Sequence, residues 1–149
     1  MASSRARIVD GPIDVADLLA GAAARSDGAV LLFLGVVRDH NEGKDVGHLD
    51  YQAYPAMAEA TLEEVVTEAE ERWNIRGISA VHRVGRLEIG EVSVAIVVAA
   101  PHRGDAYEAS RFVIEELKKR VPIWKREGYL DGESEWLTGT SPEPAGREG

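Results

Sequence analysis

Residues 92–100 read VSVAIVVAA and lead directly into PHRGD at 101–105. A continuous run of apolar and β-branched side chains, without polar alternation, is typical of a strand that is covered on both faces. We therefore predict that this segment is a central strand of a sheet. The polar, glycine-containing sequence after it ends the strand and predicts a helix at about 106–120, with Asp105 as the N-cap.

Other segments predict strands that pair with this one. Gly28–Arg38 is another continuous apolar run, which indicates a buried strand, and Gly35 within it indicates a bulge or a close approach of another backbone. The polar residues Glu42–Gly47 predict a mobile loop. The remaining predicted strands are Ala6–Val9 at an edge, His48–Tyr54, Gly77–Val84, a short strand within Gly85–Glu91, and the pair Ile123–Leu130 and Glu133–Leu137, joined by a turn at Asp131-Gly132.

Two more helices are predicted before the central strand. Asp14 is a suitable N-cap for a short helix that ends near Gly28. Pro55 opens a long helix, because proline is tolerated in the first helical turn. Its apolar stripe is predicted to comprise Met57, Thr61, Leu62, Val65, Ala69 and Trp73. Two long helices, one short helix and a mostly antiparallel sheet make an α+β fold.

Length and composition restrict the class of protein. The chain has 149 residues, which suits one domain, predicted at 1–137, followed by a disordered tail at 138–149 whose composition is rich in glycine and proline. No cysteine is present, which excludes disulfides and thiolate sites and is compatible with a cytoplasmic protein. A net charge of −9 disfavours nucleic-acid binding, and no apolar run is long enough to span a membrane.

Three cationic groups interrupt this acidic background. Three of the chain's four lysines lie within LKKRVPIWKRE at 117–127, and Pro122 separates Lys118 from Lys125. Because proline ends a helix, the two lysines are predicted to approach one pocket from a helix and from an extended segment. Arg38 and the pair His102-Arg103 each follow an apolar strand, where folds often place functional groups. Together these cations indicate a binding site for an anionic small molecule, although each group alone is more often structural or solvated surface charge.

The sequence lacks the signals of several other site types. There is no phosphate-binding glycine loop and no HExxH motif. The histidines at 40, 48, 82 and 102 lack the spacing of metal ligands, so we expect no metal and no bound cofactor.

Several segments, taken together, resemble the large, catalytic subunit of molybdopterin synthase. They occur in the family's order and cover about residues 7–137. The matching segments are FLGVVRDHN (33–41), YQAYPAM (51–57), HRVG (82–85), APHR (100–103) with the start of the next helix, and LKKRVPIWKRE (117–127).

This resemblance implies an α/β-hammerhead fold and a homodimer that binds two small ubiquitin-like subunits, forming a heterotetramer. The C-terminal Gly-Gly thiocarboxylate of each small subunit would supply sulfur to cyclic pyranopterin monophosphate, giving the dithiolene of molybdopterin. Lys118 and Lys125 match the catalytic residues of the family, and Arg38, His102 and Arg103 match its substrate contacts. The rival hypotheses are a non-catalytic scaffold that binds a ubiquitin-like tail and a regulatory anion-binding protein.

Overall fold

Two sheets and three helices make up the part of the chain that is described. A computed structural model of the protein describes residues 5–130 and the backbone of residues 134–138. The strands are β1 (Ala6–Val9), β2 (Ala29–Val36), β3 (His40–Asn41), β4 (Lys44–Ala53), β5 (Gly77–Arg83), β6 (Gly85–Glu88), β7 (Val92–Ala100), β8 (Ile123–Tyr129) and β9 (Ser134–Thr138). The helices are α1 (Val15–Leu19), α2 (Pro55–Trp73) and α3 (Arg103–Arg120).

The first sheet has the strand order β1-β5-β7-β2. β7 is central, and eight of its nine residues are buried, which confirms the prediction from its apolar run. β1 pairs in parallel with β5, whereas the other pairs are antiparallel. The prediction that β2 is a buried strand was wrong: β2 lies at the sheet edge, and Val30, Leu34 and Val36 are 45%, 36% and 44% exposed. The bulge expected at Gly35 is present, since the register with β7 shifts between Gly35 and Val36.

The second sheet is organised around β4, which pairs with β3, β6 and β8, while β9 pairs with β8. The loop predicted at Glu42–Gly47 is instead a tight hairpin between β3 and β4. Glu42 and Gly43 both have positive φ, as a two-residue turn of this kind requires. The sequence signal was missed because the strand that follows is polar. β9 pairs with β8 as predicted, but the turn between them lies outside the described residues.

The helix predictions needed two corrections. Asp14 caps α1 as expected, accepting a hydrogen bond from the Asp17 N–H, but α1 ends at Leu19 rather than near Gly28. α3 begins at Arg103 with His102 as the N-cap residue, so Asp105 lies in the first turn instead of capping it. α2 begins at Pro55 as predicted and ends at Trp73, and the C-cap residue Asn74 has the left-handed backbone that closes the last turn.

The core lies between the first sheet and the two long helices. α2 buries Ala58, Leu62, Val65, Val66 and Ala69, and α3 buries Ala106, Ala109, Ser110, Val113 and Leu117. Met57, predicted for the inner stripe, is instead 59% exposed.

The α+β class is confirmed. No helix within residues 5–130 has the length and apolar character that a membrane crossing requires. Thr138 is the last residue of β9, and the rest of the predicted tail, 139–149, lies outside the described residues.

Candidate active site

Lys118 and Lys125 lie on either side of a sharp corner. α3 ends when the Val121 N–H donates to the Leu117 carbonyl at 3.0 Å, and the Ile123 N–H then donates to the Val121 carbonyl at 2.9 Å. Pro122 lies between these bonds, and β8 begins at Ile123. The predicted change from a helix to an extended segment at Pro122 is therefore confirmed. Lys118 belongs to the last turn of α3 and Lys125 to β8, and both are half-buried.

The two lysines act on one buried side chain, His82 of β5. His82 is only 5% exposed, and its Nδ1 lies 2.8 Å from the carbonyl oxygen of Arg83. Burial is the main reason that its pKa is lowered from 6.5 to about 4, and the positive charges of Lys118 and Lys125 lower this pKa further. Because charge interactions weaken with distance, this shared effect indicates that the helix lysine and the strand lysine both lie near the His82 ring.

Tyr51 of β4 connects His82 to Lys125. The rings of Tyr51 and His82 meet edge to face, with centroids 4.9 Å apart. Tyr51 is also directly opposite Lys125 in the pairing of β4 with β8, so the two side chains project from the same face. Burial raises the pKa of the Tyr51 hydroxyl, while its hydrogen bond with Ser93 acts in the opposite direction. Ser93 in turn donates to the Gly35 carbonyl at 3.2 Å, which links the site to β2.

Glu127 places a buried carboxylate beside these groups. It is 2% exposed and accepts hydrogen bonds from Asn41 Nδ2 and from the Tyr129 hydroxyl, each at 2.7 Å. Glu127 lies two residues from Lys125 on the same strand, so both side chains project from one face. Its negative charge also contributes to the raised pKa of Tyr51.

Arg38 lies at the same end of the first sheet. It follows β2, where the Val37 N–H donates to the Glu91 carbonyl at 3.0 Å and the Val37 carbonyl accepts from the Gly90 N–H at 2.9 Å. These bonds hold the backbone of Val37, and therefore the adjacent Arg38, beside the beginning of β7, near Ser93. Arg38 is exposed, so its guanidinium is accessible to a ligand.

His102 and Arg103 lie at the opposite end of the molecule. They begin α3, whereas Lys118 is near its end, and fifteen helical residues at 1.5 Å each separate Arg103 from Lys118 by about 22 Å. Both residues are exposed. A single copy of the chain therefore brings Arg38, Lys118 and Lys125 to one end and leaves His102 and Arg103 at the other.

The other cations of the basic segment have surface partners. Arg120 binds Glu68 at 2.7 Å and Glu116 at 3.4 Å, and these carboxylates raise its pKa. Arg126 lies 3.4 Å from Asp50, and Lys119 lies 3.7 Å from Glu116 with its side chain 69% exposed. These contacts hold α3 and β8 in place.

Sequence reasoning missed four residues of this site: His82, Tyr51, Ser93 and Glu127. His82 and Tyr51 fall within the HRVG and YQAYPAM segments, so the available signal was that they accompany the lysines in the family pattern. Ser93 and Glu127 carry no local signal, because a serine in an apolar strand and a glutamate after a basic run are both common. Across residues 5–130, no group of three His, Asp or Glu side chains has the arrangement of a metal site.

Comparison with known proteins gives consistent matches. The family model described as MoaE protein matches residues 8–120. The chain is 44% identical to the molybdopterin synthase catalytic subunit of Halalkalibacterium halodurans, over 89% of this chain and 85% of that protein. It is 40% identical to the protein of the same name from Pyrococcus abyssi, over 99% of this chain and 100% of that protein.

Solved structures share the fold. The chain is similar to molybdopterin synthase from Staphylococcus aureus, with a TM-score of 0.85, 38% identity, and coverage of 91% of this chain and 98% of that one. A complex of subunits 1 and 2 of molybdopterin-converting factor from Helicobacter pylori has a TM-score of 0.70 at 24% identity, with 91% and 90% coverage, which is a likeness of fold alone.

Proposed function

The chain belongs to the MoaE protein family, and on that premise we propose that it is the catalytic subunit of a molybdopterin synthase. Sulfur from the C-terminal thiocarboxylate of a small ubiquitin-like subunit is transferred to cyclic pyranopterin monophosphate. The observation that carries this proposal is that Lys118, from a helix end, and Lys125, from a strand, both bring positive charge to bear on buried His82. A scaffold that only holds a partner's tail would not need that arrangement.

The charges of the site suit the two reactants. The thiocarboxylate and the pterin phosphate are both anionic and would repel each other unless cations lie between them. Lys118, Lys125 and Arg38 supply positive charge at one end of an otherwise acidic protein, which would both attract and hold such ligands. Arg38 has the planar fork that binds phosphate or carboxylate through two hydrogen bonds.

The reaction requires two sulfur transfers. A dithiolene has two sulfur atoms, and each thiocarboxylate carries one, so two donors must be used and each leaves as a carboxylate. In each transfer the bond from the donor's acyl carbon to sulfur breaks and water supplies the new oxygen of the carboxylate, while a pterin carbon forms a bond to that sulfur and loses a bond to oxygen. We assign Lys118 and Lys125 to stabilising the negative charge that develops on sulfur and oxygen and to moving the accompanying protons.

A second copy of the chain would complete the site. β2 is the edge of the first sheet, and nothing within residues 5–130 and 134–138 pairs with its outer side. Its exposed Val30, Leu34 and Val36 are unusual for a free surface. Antiparallel pairing of two β2 strands around a twofold axis would place the start of one beside the end of the other.

This homodimer accounts for the position of His102 and Arg103. The Gly28 N–H donates to the Ala100 carbonyl at 3.0 Å, so the segment before β2 lies beside the start of α3. A twofold axis through β2 would therefore bring His102 and Arg103 of one copy towards Arg38 and Lys118 of the other. With one small subunit per copy, the assembly is a heterotetramer with two composite sites.

The catalytic assignment is tested with Lys118→Ala and Lys125→Ala in an assay containing thiocarboxylated small subunit and cyclic pyranopterin monophosphate. We expect each change to lower product formation by about 100-fold or more, as loss of a charge-stabilising group does. Lys119→Ala is the matched control, because Lys119 is the adjacent but exposed lysine. Normal turnover by Lys118→Ala, with binding of the small subunit intact, would exclude the catalytic role.

The composite site is tested by mixing two inactive variants, Lys118→Ala and Arg103→Ala. If each site uses Lys118 from one copy and Arg103 from the other, mixed dimers contain one intact site. Random exchange of subunits should then restore about a quarter of the wild-type activity. No restoration in dimers shown to have exchanged would mean that both residues act within one copy.

A further inference from the structure

We propose that Asn41 is a positioning residue for Arg38: its side-chain amide binds the buried carboxylate of Glu127 and so holds the segment that carries Arg38 against the strand that carries Lys125. This role rests on the substrate contact proposed above for Arg38. It gives a task to the asparagine of the sequence RDHN at 38–41, to which the proposed reaction assigns none.

Arg38 lies in a short bridge between the two sheets. On one side Val37 is 3% exposed, and its N–H and carbonyl make hydrogen bonds of 3.0 and 2.9 Å to the turn between β6 and β7. On the other side β3 begins at His40, so Arg38 and Asp39 are the two residues between the anchored Val37 and the second sheet. Because the bridge is so short, the place of Arg38 depends on how firmly both ends are held.

The end at β3 is weakly held by its backbone. β3 has two residues and, in the described part of the chain, pairs with β4 alone. One further backbone bond closes the hairpin, where the Val46 N–H donates to the Asp39 carbonyl at 2.7 Å. A hairpin this short is marginal in water unless its side chains are held by something outside it. A side-chain contact to another strand therefore decides whether β3 stays in place.

Asn41 supplies that contact. It is half-buried, and its Nδ2 donates to Oε2 of Glu127 at 2.7 Å. The Tyr129 hydroxyl donates to the other oxygen, Oε1, also at 2.7 Å, so each carboxylate oxygen has its own donor. A hydrogen bond to a carboxylate is stronger than one between neutral groups, and a buried carboxylate that loses a donor is destabilised. The Asn41 bond is therefore a firm attachment of the hairpin to β8.

This attachment places Arg38 on the same side of the molecule as Lys125. Lys125 and Glu127 are two residues apart on β8, so their Cα atoms are about 7 Å apart and their side chains project from one face. Arg38 is three residues from Asn41, so their Cα atoms can be no more than about 11 Å apart. The carboxylate of Glu127 thus joins the segment of one cation to the strand of the other.

Four variants and a matched control test this role, each assayed with thiocarboxylated small subunit and cyclic pyranopterin monophosphate. Asn41→Ala removes the attachment. Tyr129→Phe is the control, because it removes the other bond to the same carboxylate but keeps the ring, over which Lys44 lies at 4.8 Å. Arg38→Ala and the double variant Arg38→Ala/Asn41→Ala show whether Asn41 acts through Arg38. Lys118→Ala reports on the proposed reaction itself.

We expect Asn41→Ala to raise the KM for the pterin about 10-fold while kcat stays within about threefold, and Tyr129→Phe to stay within about twofold in both. Adding Asn41→Ala to Arg38→Ala should raise the KM no further, because the residue that Asn41 positions is already gone. A normal KM for folded Asn41→Ala would overturn the inference. So would an equal rise for Tyr129→Phe, or effects of Asn41→Ala and Arg38→Ala that multiply.

The outcome for Lys118→Ala separates this inference from the proposed function. Full turnover by Lys118→Ala would refute the proposed function. An inactive Lys118→Ala beside an Asn41→Ala variant with normal kinetics would refute only the positioning role of Asn41.

Hydrogen exchange of the Val46 amide tests the attachment without an activity assay. This N–H is bonded to the Asp39 carbonyl, so NMR detection of its exchange reports how often β3 separates from β4. We expect exchange to be about 10-fold faster in Asn41→Ala than in the wild type and unchanged in Tyr129→Phe. Equal rates in Asn41→Ala and the wild type would show that Asn41 does not hold the hairpin.

Discussion

The buried His82 makes the protein sensitive to mild acid, and this sensitivity can be predicted quantitatively. In the unfolded chain the His82 side chain has a pKa near 6.5, whereas in the folded protein its pKa is about 4. Between these values the unfolded chain binds a proton that the folded chain does not. The contribution of His82 to stability is therefore complete above about pH 6.5 and is lost as the pH falls towards 4.

The size of the effect follows from the same values. Each unit of pKa corresponds to about 1.4 kcal/mol, so lowering the pKa from 6.5 to about 4 gives a loss of about 3 kcal/mol at pH 4. An ordinary domain has an unfolding free energy of roughly 5–15 kcal/mol, so this loss is a substantial part of the total.

The measurement compares the wild type with His82→Gln, which has no titrating group at this position. Urea unfolding is followed by tryptophan fluorescence at pH 7, 6, 5 and 4, at a fixed protein concentration because a dimer would make stability depend on it. Surface carboxylates such as Asp39, Glu68 and Glu91, whose pKa values are lowered by hydrogen bonds, also reduce stability in acid, but they do so in both proteins.

Between pH 7 and pH 4, we expect the wild type to lose about 3 kcal/mol more unfolding free energy than the variant loses. Parallel curves, with a constant difference at every pH, would show that His82 already titrates normally in the folded protein. That result would refute the burial argument.

Three other substitutions, one of them with a matched control, test the packing of the fold. Gly128→Ala should destabilise the protein by about 1–3 kcal/mol in urea unfolding, because a Cβ there would overlap the ring of His48. Gly104→Ala is the control and should be nearly neutral, because no atom lies near the position of its Cβ. Equal effects of the two substitutions would contradict the overlap. Leu62→Ala should cost about 2–5 kcal/mol, since the side chain is completely buried, and a loss below 1 kcal/mol or so would mean that the site collapses around the gap. Arg120→Ala should cost no more than about 1 kcal/mol, because its ion pairs are partly exposed, and the difference from wild type should shrink in high salt.

The secondary structure was predictable where the local pattern was strong. The apolar run of β7, the stripe of α2 with Pro55 at its start and the corner at Pro122 each depend on neighbouring residues, so the sequence shows them directly. The hairpin at Glu42-Gly43 was missed because β4 begins with polar residues, and the positive φ values that make the turn are a property of the folded backbone.

The edge position of β2 could not be predicted in the same way. Its apolar run is as continuous as that of β7, yet three of its eight residues are exposed. An apolar pattern shows that a strand will be covered, but not whether its own chain or a second copy covers it. Strand order depends on pairings between distant segments, which local periodicity does not encode.

The sequence by itself determined which chemistry was available: a cationic set of lysines, arginines and one histidine in an acidic chain without cysteine, in the order typical of one family. Only the tertiary structure decided how this set is divided. It lets the charges of Lys118 and Lys125 both act on His82, and it holds Arg103, with His102 beside it, about 22 Å from Lys118 along α3. The reason is physical, because the length of α3 and the antiparallel course of β7 separate residues that the linear pattern presented as one group.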